Sequence, residues 1–186
     1  MDKRTLPRLA IRDGNDVLRI SQSDLIKYHG YKMLGGVALA YQIMRIGFPL
    51  LTDEIPARGY FSFLSGIGPG GEGVIDSVEM VMRVKTLGTL KTDKALVHGK
   101  QAPESPGGGR YYFELGYMQK NIAFTLKDGA IPSEFFRMSQ LAHDKRLVGK
   151  DLTFEEMAYL LQLRRQLGEI IFAANPNDLF VISSCK

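Results

Sequence analysis

Apolar residues recur with two different periods along the chain, and together these periods predict an α+β fold. In residues 73–84 they recur every three to four positions, which is the period of one helix face. In residues 111–126 they alternate with other residues on both sides of a polar turn, which predicts a β-hairpin. Helix-like and strand-like segments do not alternate regularly. We therefore predict a mixed or antiparallel sheet of four or five strands, whose hairpin packs against about five helices.

Capping signals place the first two helices. Ser21 and Asp24 predict a capping box for a short helix that runs to about Tyr28. The next helix, GVALAYQIMRI, is apolar on nearly every side, so we expect it to be buried. Gly47 and Pro49 are expected to end it, because both residues disfavour a continuing helix.

Two more helices are expected in the C-terminal half. One covers IPSEFFRMSQLAHDKR, with Pro132 near its first turn. Thr153 and Glu156 predict a capping box for the other. Its core stripe is expected to contain Met157, Leu160, Leu161 and Leu167.

The remaining segments predict strands and connections within a single domain, 1–186. RGYFSFLSG is typical of a strand, DKALVHG of a short strand, and the residues after Pro176 of a last strand. Residues 1–20 are interpreted as an N-terminal extension with a turn at Asp13–Asn15. Residues 101–110, rich in Gly and Pro, are interpreted as a flexible loop.

Composition limits the class of protein. A hydrophobic content of 45% with 24% charged residues is ordinary for a soluble globular domain. No secretory leader or membrane-spanning run is evident, so we expect a cytoplasmic protein with no membrane partner. The single cysteine, Cys185, excludes an internal disulfide and a zinc finger built from Cys pairs. The net charge of +4 is scattered, with its densest spots at 144–146 and 164–165, so no nucleic-acid partner is expected.

The segment GIGPGG, residues 66–71, matches the G-x-G-x-x-G pattern of dinucleotide-binding loops. A strand precedes it, a helix follows it, and Asp93 stands near the distance expected for a ribose-binding acid. Against this, Pro69 removes a backbone donor and Glu72 places a negative charge at the helix start. The residues after the helix make a poor buried strand. A structural turn, a loop that lines another pocket and the loop of a nucleotide-binding oxidoreductase all stay open.

The segment LIKYHGYKMLGGVALAYQIMRIG resembles the signature of the FmdE family, which takes its name from a component of formylmethanofuran dehydrogenase. That family has an aromatic residue, then His-Gly-His-x-Cys-Pro-Gly, then a helix of small residues. Tyr28, His29, Gly30 and Gly35 stand at matching positions. The resemblance continues through EGVIDSVEMV, where Asp76 matches the family's acid, and through KTLGTL and the aromatic hairpin, so it covers roughly residues 21–182.

Departures from the family pattern change what the resemblance implies. Tyr31, Met33 and Leu34 stand where the family has its second His, its Cys and its Pro. The family's His and Cys are associated with a metal or catalytic site, and thioether and phenol groups are weak replacements for them. The family's C-terminal Cys-rich zinc module has no counterpart in this sequence. The chain is therefore interpreted as a divergent member with a rebuilt pocket.

This resemblance implies a small-molecule-binding protein, expected to be a homodimer, with a pocket between the His29 loop and the 66–72 loop. His29 and Asp76 are the candidate catalytic pair, and His29 is the candidate ligand of a divalent transition metal such as zinc. The candidate ligand-binding residues are Tyr31, Lys32, Gly35, Gly68, Gly71 and Glu72. His29 could equally hydrogen-bond a backbone carbonyl and Tyr31 could serve packing. The acids Glu72 and Asp76 could serve the helix dipole. A non-catalytic component of a larger redox enzyme is a further alternative.

Overall fold

The computed structural model describes residues 6–67, 71–95 and 101–185. Within these ranges it contains six α-helices and seven strands, so the predicted α+β class is confirmed. The helices are α1 Gln22–His29, α2 Leu34–Leu51, α3 Glu72–Met82, α4 Ser133–Leu147, α5 Phe154–Ala173 and α6 Pro176–Leu179. The strands are β1 Leu9–Asp13, β2 Asp16–Ile20, β3 Phe61–Ser65, β4 Leu90–Thr92, β5 Tyr112–Tyr117, β6 Lys120–Leu126 and β7 Phe180–Ser184.

The larger sheet is mixed, with the strand order β4-β3-β5-β6-β7. Every neighbouring pair in it is antiparallel except β3 and β4, which are parallel. The predicted hairpin forms its centre, since Phe113 of β5 is paired with Phe124 of β6. Both rings are fully buried, as their alternation predicted.

Helix α2 lies at the centre of the core. It contacts β5 and β6 of the sheet, and it also contacts α3 and α5. The prediction that Gly47 and Pro49 end this helix is wrong, because α2 continues to Leu51. A side chain at Gly47 would collide with Leu115 of β5, so this glycine lets α2 approach the sheet closely. Pro49 lies near the exposed C-terminal end, and tertiary contacts of the helix outweigh its poor helix propensity.

Both predicted capping boxes are confirmed. The Ser21 side chain accepts a hydrogen bond from the Asp24 backbone, and the Asp24 carboxylate accepts one from the Ser21 backbone. Thr153 and Glu156 make the same reciprocal pair at the start of α5. The core stripe of α5 was predicted only in part. Leu160 and Leu167 are buried, but Met157 and Leu161 are exposed.

Three strand assignments differ from the sequence-based prediction. Residues 1–20 were expected to be an extension, but β1 and β2 form an antiparallel hairpin that buries Ile11 completely. The strand expected at 93–99 lies earlier, as β4, and residues 96–99 lie outside the described ranges. Residues Arg58–Tyr60 form a 3-10 turn rather than the start of β3. Of these elements, β4 pairs with a strand that is distant in sequence, β3, which its own residues do not reveal.

One helix in the described ranges, α2, is long and apolar enough to cross a membrane. Most of it is buried inside the protein. The core helix of a soluble protein has the same length and composition, so this feature does not decide the location of the protein.

Candidate functional site

A cleft of about 510 Å³ opens where the amino-terminal ends of α2 and α3 meet. We call it the α2–α3 cleft. One wall is formed by the residues that begin α2 and α3, another by the inner faces of α4 and α5, and the rim by residues 105–107. A cavity of this size can hold most of a metabolite-sized ligand.

Two glycines allow the two helix ends to meet. A Cβ atom on Gly73 would lie 2.6 Å from the Met33 carbonyl oxygen and 3.1 Å from the Val37 nitrogen. A Cβ atom on Gly36 would lie 3.1 Å from the Val74 nitrogen. At either position, a side chain would collide with backbone atoms of the other helix. The close crossing of α2 and α3 therefore depends on these two residues.

Four of the predicted ligand-binding residues line this cleft. Lys32 and Gly35 come from the start of α2, whereas Gly71 and Glu72 come from the start of α3. The structure thus brings together the two loops that the sequence predicted to share a pocket. Gly68, which was also predicted to bind ligand, lies outside the described residues.

The other predicted residues lie outside the cleft lining. His29 Nδ1 lies 2.7 Å from Asp76 Oδ2, so these two residues do form a pair. The His29 side chain is only 5% exposed, and its Nε2 atom is buried with no hydrogen-bond partner in the described structure. Tyr31 is 64% exposed. The pair therefore joins α1 to α3 behind the helix crossing rather than within the cleft.

Positive charge predominates among the cleft residues. Lys32, Lys94, Arg146 and Arg164 line the cleft, and Glu72 is the carboxylate among its described lining residues. The Lys94 ammonium donates a hydrogen bond to the Gly107 carbonyl, so it is held at the rim. A ligand in this cleft would experience a positive potential, which favours anions.

Arg164 lies in an unusual position for a cation. It stands on α5 between Leu160 and Leu167, both of which are buried. Its Nε atom is buried and has no hydrogen-bond partner in the described structure. Burial lowers the pKa of the Arg164 guanidinium, and the nearby charge of Arg146 lowers this pKa further. The two arginines line the same cleft and repel each other.

Sequence reasoning missed the wall that α4 and α5 provide. Ser139, His143 and Arg146 recur every three to four residues on α4, and all three line the cleft. The polar neighbours of His143 in the sequence suggest a surface residue instead. One sequence feature could have revealed this wall. Arg164 interrupts an otherwise apolar stripe of α5, so it lies on the inward face of that helix. In the sequence this residue counted only as part of a basic pair.

The described residues do not fit the metal site that the resemblance implied. They contain no group of three or more His, Cys, Asp or Glu side chains able to hold a metal ion. His29 has Asp76 as its one charged partner among them, and that carboxylate lies against Nδ1. Transition-metal sites in proteins usually need three or four such donors. The described geometry therefore gives a metal at His29 no ligand beyond Asp76.

A larger hollow, of about 870 Å³, lies on the face of the sheet that carries Tyr112, Asn121 and Ser183. The Tyr112 hydroxyl donates a hydrogen bond to the Glu114 carboxylate there, 2.8 Å away. Burial raises the pKa of the Cys185 thiol on the same face, and Glu114 raises it further. None of the predicted site residues that the structure describes lies in this hollow, so the α2–α3 cleft is the better candidate site.

The comparisons with known proteins add no family assignment. No protein-family model matches this sequence, and no curated protein matches it.

Proposed function

We propose that this protein binds a small molecule in the α2–α3 cleft, as a divergent relative of the FmdE family. The observation that carries the proposal is the convergence of Lys32 and Gly35 with Gly71 and Glu72 on one cleft. These residues come from two segments that are far apart in sequence. The expected homodimer and cytoplasmic location stay predictions.

Within this proposal, His29 and Asp76 are positioning residues. A histidine beside a carboxylate can exchange a proton near neutral pH, which is why the sequence suggested catalysis. However, neither residue lines the cleft, and the His29 Nε2 atom is buried. The pair instead fixes α1 against α3, and α3 supplies Gly71–Val74 to the cleft wall.

Filling the cleft tests this proposal. Ala142 lies on the cleft-facing side of α4, so Ala142→Trp would place an indole ring in the cavity. Ala158 is exposed on α5 and does not line the cleft, so Ala158→Trp is the matched control. Each protein is incubated with a defined mixture of phosphorylated, carboxylated, cationic and neutral metabolites, and gel filtration with mass spectrometry identifies what stays bound.

We expect at least one metabolite to remain with the wild type and with Ala158→Trp, and to be lost from Ala142→Trp. The cleft would not be the binding site if the wild type retained no metabolite. The same conclusion would follow if Ala142→Trp retained as much metabolite as the wild type. Circular dichroism of both variants shows whether each has kept its fold.

A second candidate function, nucleotide binding by an oxidoreductase, is favoured by one observation. Strand β3, helix α3 and strand β4 form a β-α-β unit with parallel strands, and the glycine loop connects β3 to α3. Asp93 follows β4 directly, where dinucleotide-binding domains carry a ribose-binding acid. The residues after the helix were expected to make a poor buried strand, and β4 indeed has three residues and lies at the sheet edge.

Packing around α3 differs from that of a dinucleotide-binding unit. The third glycine of the fingerprint is Gly71, and in dinucleotide-binding units that glycine allows the helix to approach its own strand. The close glycine contact of α3 described here is at Gly73, and it is with α2. Thermal shift with NAD, NADP, FMN and FAD tests this candidate. A rise in the unfolding midpoint that Asp93→Ala abolishes would support it, and no rise with any of the four would remove it.

A further inference from the structure

Two arginines that have no carboxylate partner among the described residues form one wall of the α2–α3 cleft. Arg146 comes from α4 and Arg164 from α5. The ion pairs of the described chain involve other residues, and Lys145, the neighbour of Arg146, pairs with Glu156. Arg164 is partly buried, and proteins rarely bury a guanidinium without a counter-charge, because desolvation of the charge is costly. This wall therefore carries a positive charge that an anion in the cleft would balance.

The polar groups around the two arginines suit a phosphate group. Two neighbouring positive charges favour an anion with more than one negative charge, and a phosphate monoester carries about −1.5 to −2 at neutral pH. The planar guanidinium binds phosphate oxygens in a bidentate manner. Ser139 Oγ, which also lines the cleft, is buried and lacks a hydrogen-bond partner in the described structure. It can donate to a third oxygen.

The rest of the cleft suits an apolar or aromatic group. Leu39, Ile67, Phe135 and Leu167 line it, and the cavity of about 510 Å³ is much larger than one phosphate. An inorganic anion would leave this apolar surface in contact with water. A ligand that joins a phosphate to an organic body would cover both parts of the lining.

We propose that the ligand of the α2–α3 cleft is an organic phosphate monoester, whose phosphate is bound by Arg146, Arg164 and Ser139. This inference rests on the proposed function of the cleft and names the class of its ligand. The site differs from the phosphate site of a dinucleotide-binding loop, because the arginines lie on α4 and α5 rather than at the glycine loop.

Calorimetric titration with matched pairs of probes tests the proposal. Phenyl phosphate, adenosine monophosphate and glycerol 3-phosphate are compared with phenol, adenosine and glycerol, and inorganic phosphate is titrated separately. We expect at least one phosphate ester to bind more tightly than both its neutral counterpart and inorganic phosphate. If none of the three esters binds, or if the neutral partner binds equally well, the proposal is overturned.

Substitutions then locate the phosphate. In Arg164→Gln the affinity for the ester is expected to fall at least about thirtyfold, since this removes one partner of a partly desolvated charge pair. In Arg146→Gln the fall is expected to be smaller, because Arg146 is exposed. Arg165 is exposed and does not line the cleft, so Arg165→Gln is the matched control and should bind as the wild type does. Unchanged affinity in both Arg164→Gln and Arg146→Gln would overturn the proposal.

Two further readouts keep the outcomes distinct. Arg164→Gln should unfold at the same temperature as the unliganded wild type or at a higher one, because it removes a partly buried charge that has no ion-pair partner among the described residues. If Arg164→Gln does not fold, the affinity of Arg146→Gln for the ester still tests the proposal, because Arg146 is exposed and its substitution leaves the core intact. A neutral or cationic metabolite that Ala142→Trp displaces would retain the proposed function while refuting the phosphate. If the wild type retains no metabolite at all, both the proposed function and the phosphate proposal are refuted.

Discussion

His29 Nδ1 lies 2.7 Å from Asp76 Oδ2, and this contact joins the last residue of α1 to the middle of α3, 47 positions away in sequence. Helix α1 ends here because Gly30 follows with a positive φ of 90°, while its N–H still donates to the Ile26 carbonyl. The imidazole thus leaves the helix end in a fixed direction and finds its partner on α3.

Removing either partner of this contact should destabilise the protein. Asp76→Ala leaves the ring nitrogen of a nearly buried histidine unpaired, which is expected to cost about 1–3 kcal/mol of unfolding free energy. Urea denaturation of His29→Ala, Asp76→Ala and the double variant should give a coupling energy of about 0.5–3 kcal/mol. Asp151→Asn, an exposed carboxylate elsewhere, serves as control. Additive single effects would show that the contact is absent in solution.

The helix crossing should not tolerate a single methyl group. In Gly73→Ala the new Cβ would meet backbone atoms of Met33 and Val37, and neither can move without displacing α2. We expect a loss of about 1–3 kcal/mol in urea denaturation. Gly59→Ala is the matched control, because no atom lies within 4 Å of its Cβ position and its φ is not positive. That change should be neutral or stabilising by about 0.4–1 kcal/mol.

Glu156 should make stability depend on pH in the acidic range. A hydrogen bond from Lys145 lowers the pKa of Glu156, and a second from the Thr153 backbone lowers it further. A carboxyl whose pKa is depressed by folding stabilises the folded state above its unfolded pKa, and this stabilisation is lost as pH falls through the folded value. Glu156→Gln should therefore lower the unfolding midpoint at about pH 7 and have a smaller effect at about pH 3.

Glu155 provides the control for this experiment. It is exposed and also lies in the first turn of α5, so Glu155→Gln alters the helix dipole in the same way without removing the Lys145 contact. Equal pH profiles for the two variants would mean that the Lys145–Glu156 pair contributes nothing specific.

Pro49 offers a stabilising substitution. It lies inside α2 and is exposed, and proline removes a helix hydrogen bond and crowds the preceding turn. Pro49→Ala is expected to raise the free energy of unfolding by up to about 3 kcal/mol. Leu50→Ala, at the next exposed position, controls for side-chain truncation at the helix end. A lower unfolding midpoint in Pro49→Ala would show that the proline stabilises this end of the helix.

Elemental analysis of the purified protein addresses the metal that the family resemblance implied. Because the described residues give His29 no donor beyond Asp76, we expect no stoichiometric transition metal. His29→Ala should show the same content. About one equivalent of zinc in the wild type, lost from His29→Ala, would contradict this expectation and restore the family site.

The sequence predicted those parts of the fold in which local chemistry decides the structure. Ser21 and Thr153 cap helices through residues three positions away, and Phe113 and Phe124 alternate within their own strands. The sequence-based prediction was wrong where contacts with residues distant in sequence decide the local structure. Gly47 lies inside α2 and lets the helix approach Leu115 of β5, which its own sequence neighbours do not indicate. Arg164 becomes a cleft residue only because α5 packs against the start of α2, where Leu34 meets Gly168.

The same distinction applies to the candidate site. Both loops that border the cleft were predicted from their glycines and polar residues. The α4–α5 wall was not, because Ser139 and His143 lie on an ordinary amphipathic helix whose neighbours cannot be inferred from its own pattern. The pairing of His29 with Asp76 was predicted, but their separation from the cleft depends on the rotation of α3, which single-sequence reasoning does not give.

The walls of the α2–α3 cleft come from segments that span residues 32 to 167, so no short stretch of the chain can open the cleft by itself. A ligand held there would connect the first and last thirds of the chain. Binding would then restrain α2, α3, α4 and α5 together rather than one loop. Amide hydrogen exchange should accordingly slow throughout these helices when the ligand is bound, including at positions that never touch it.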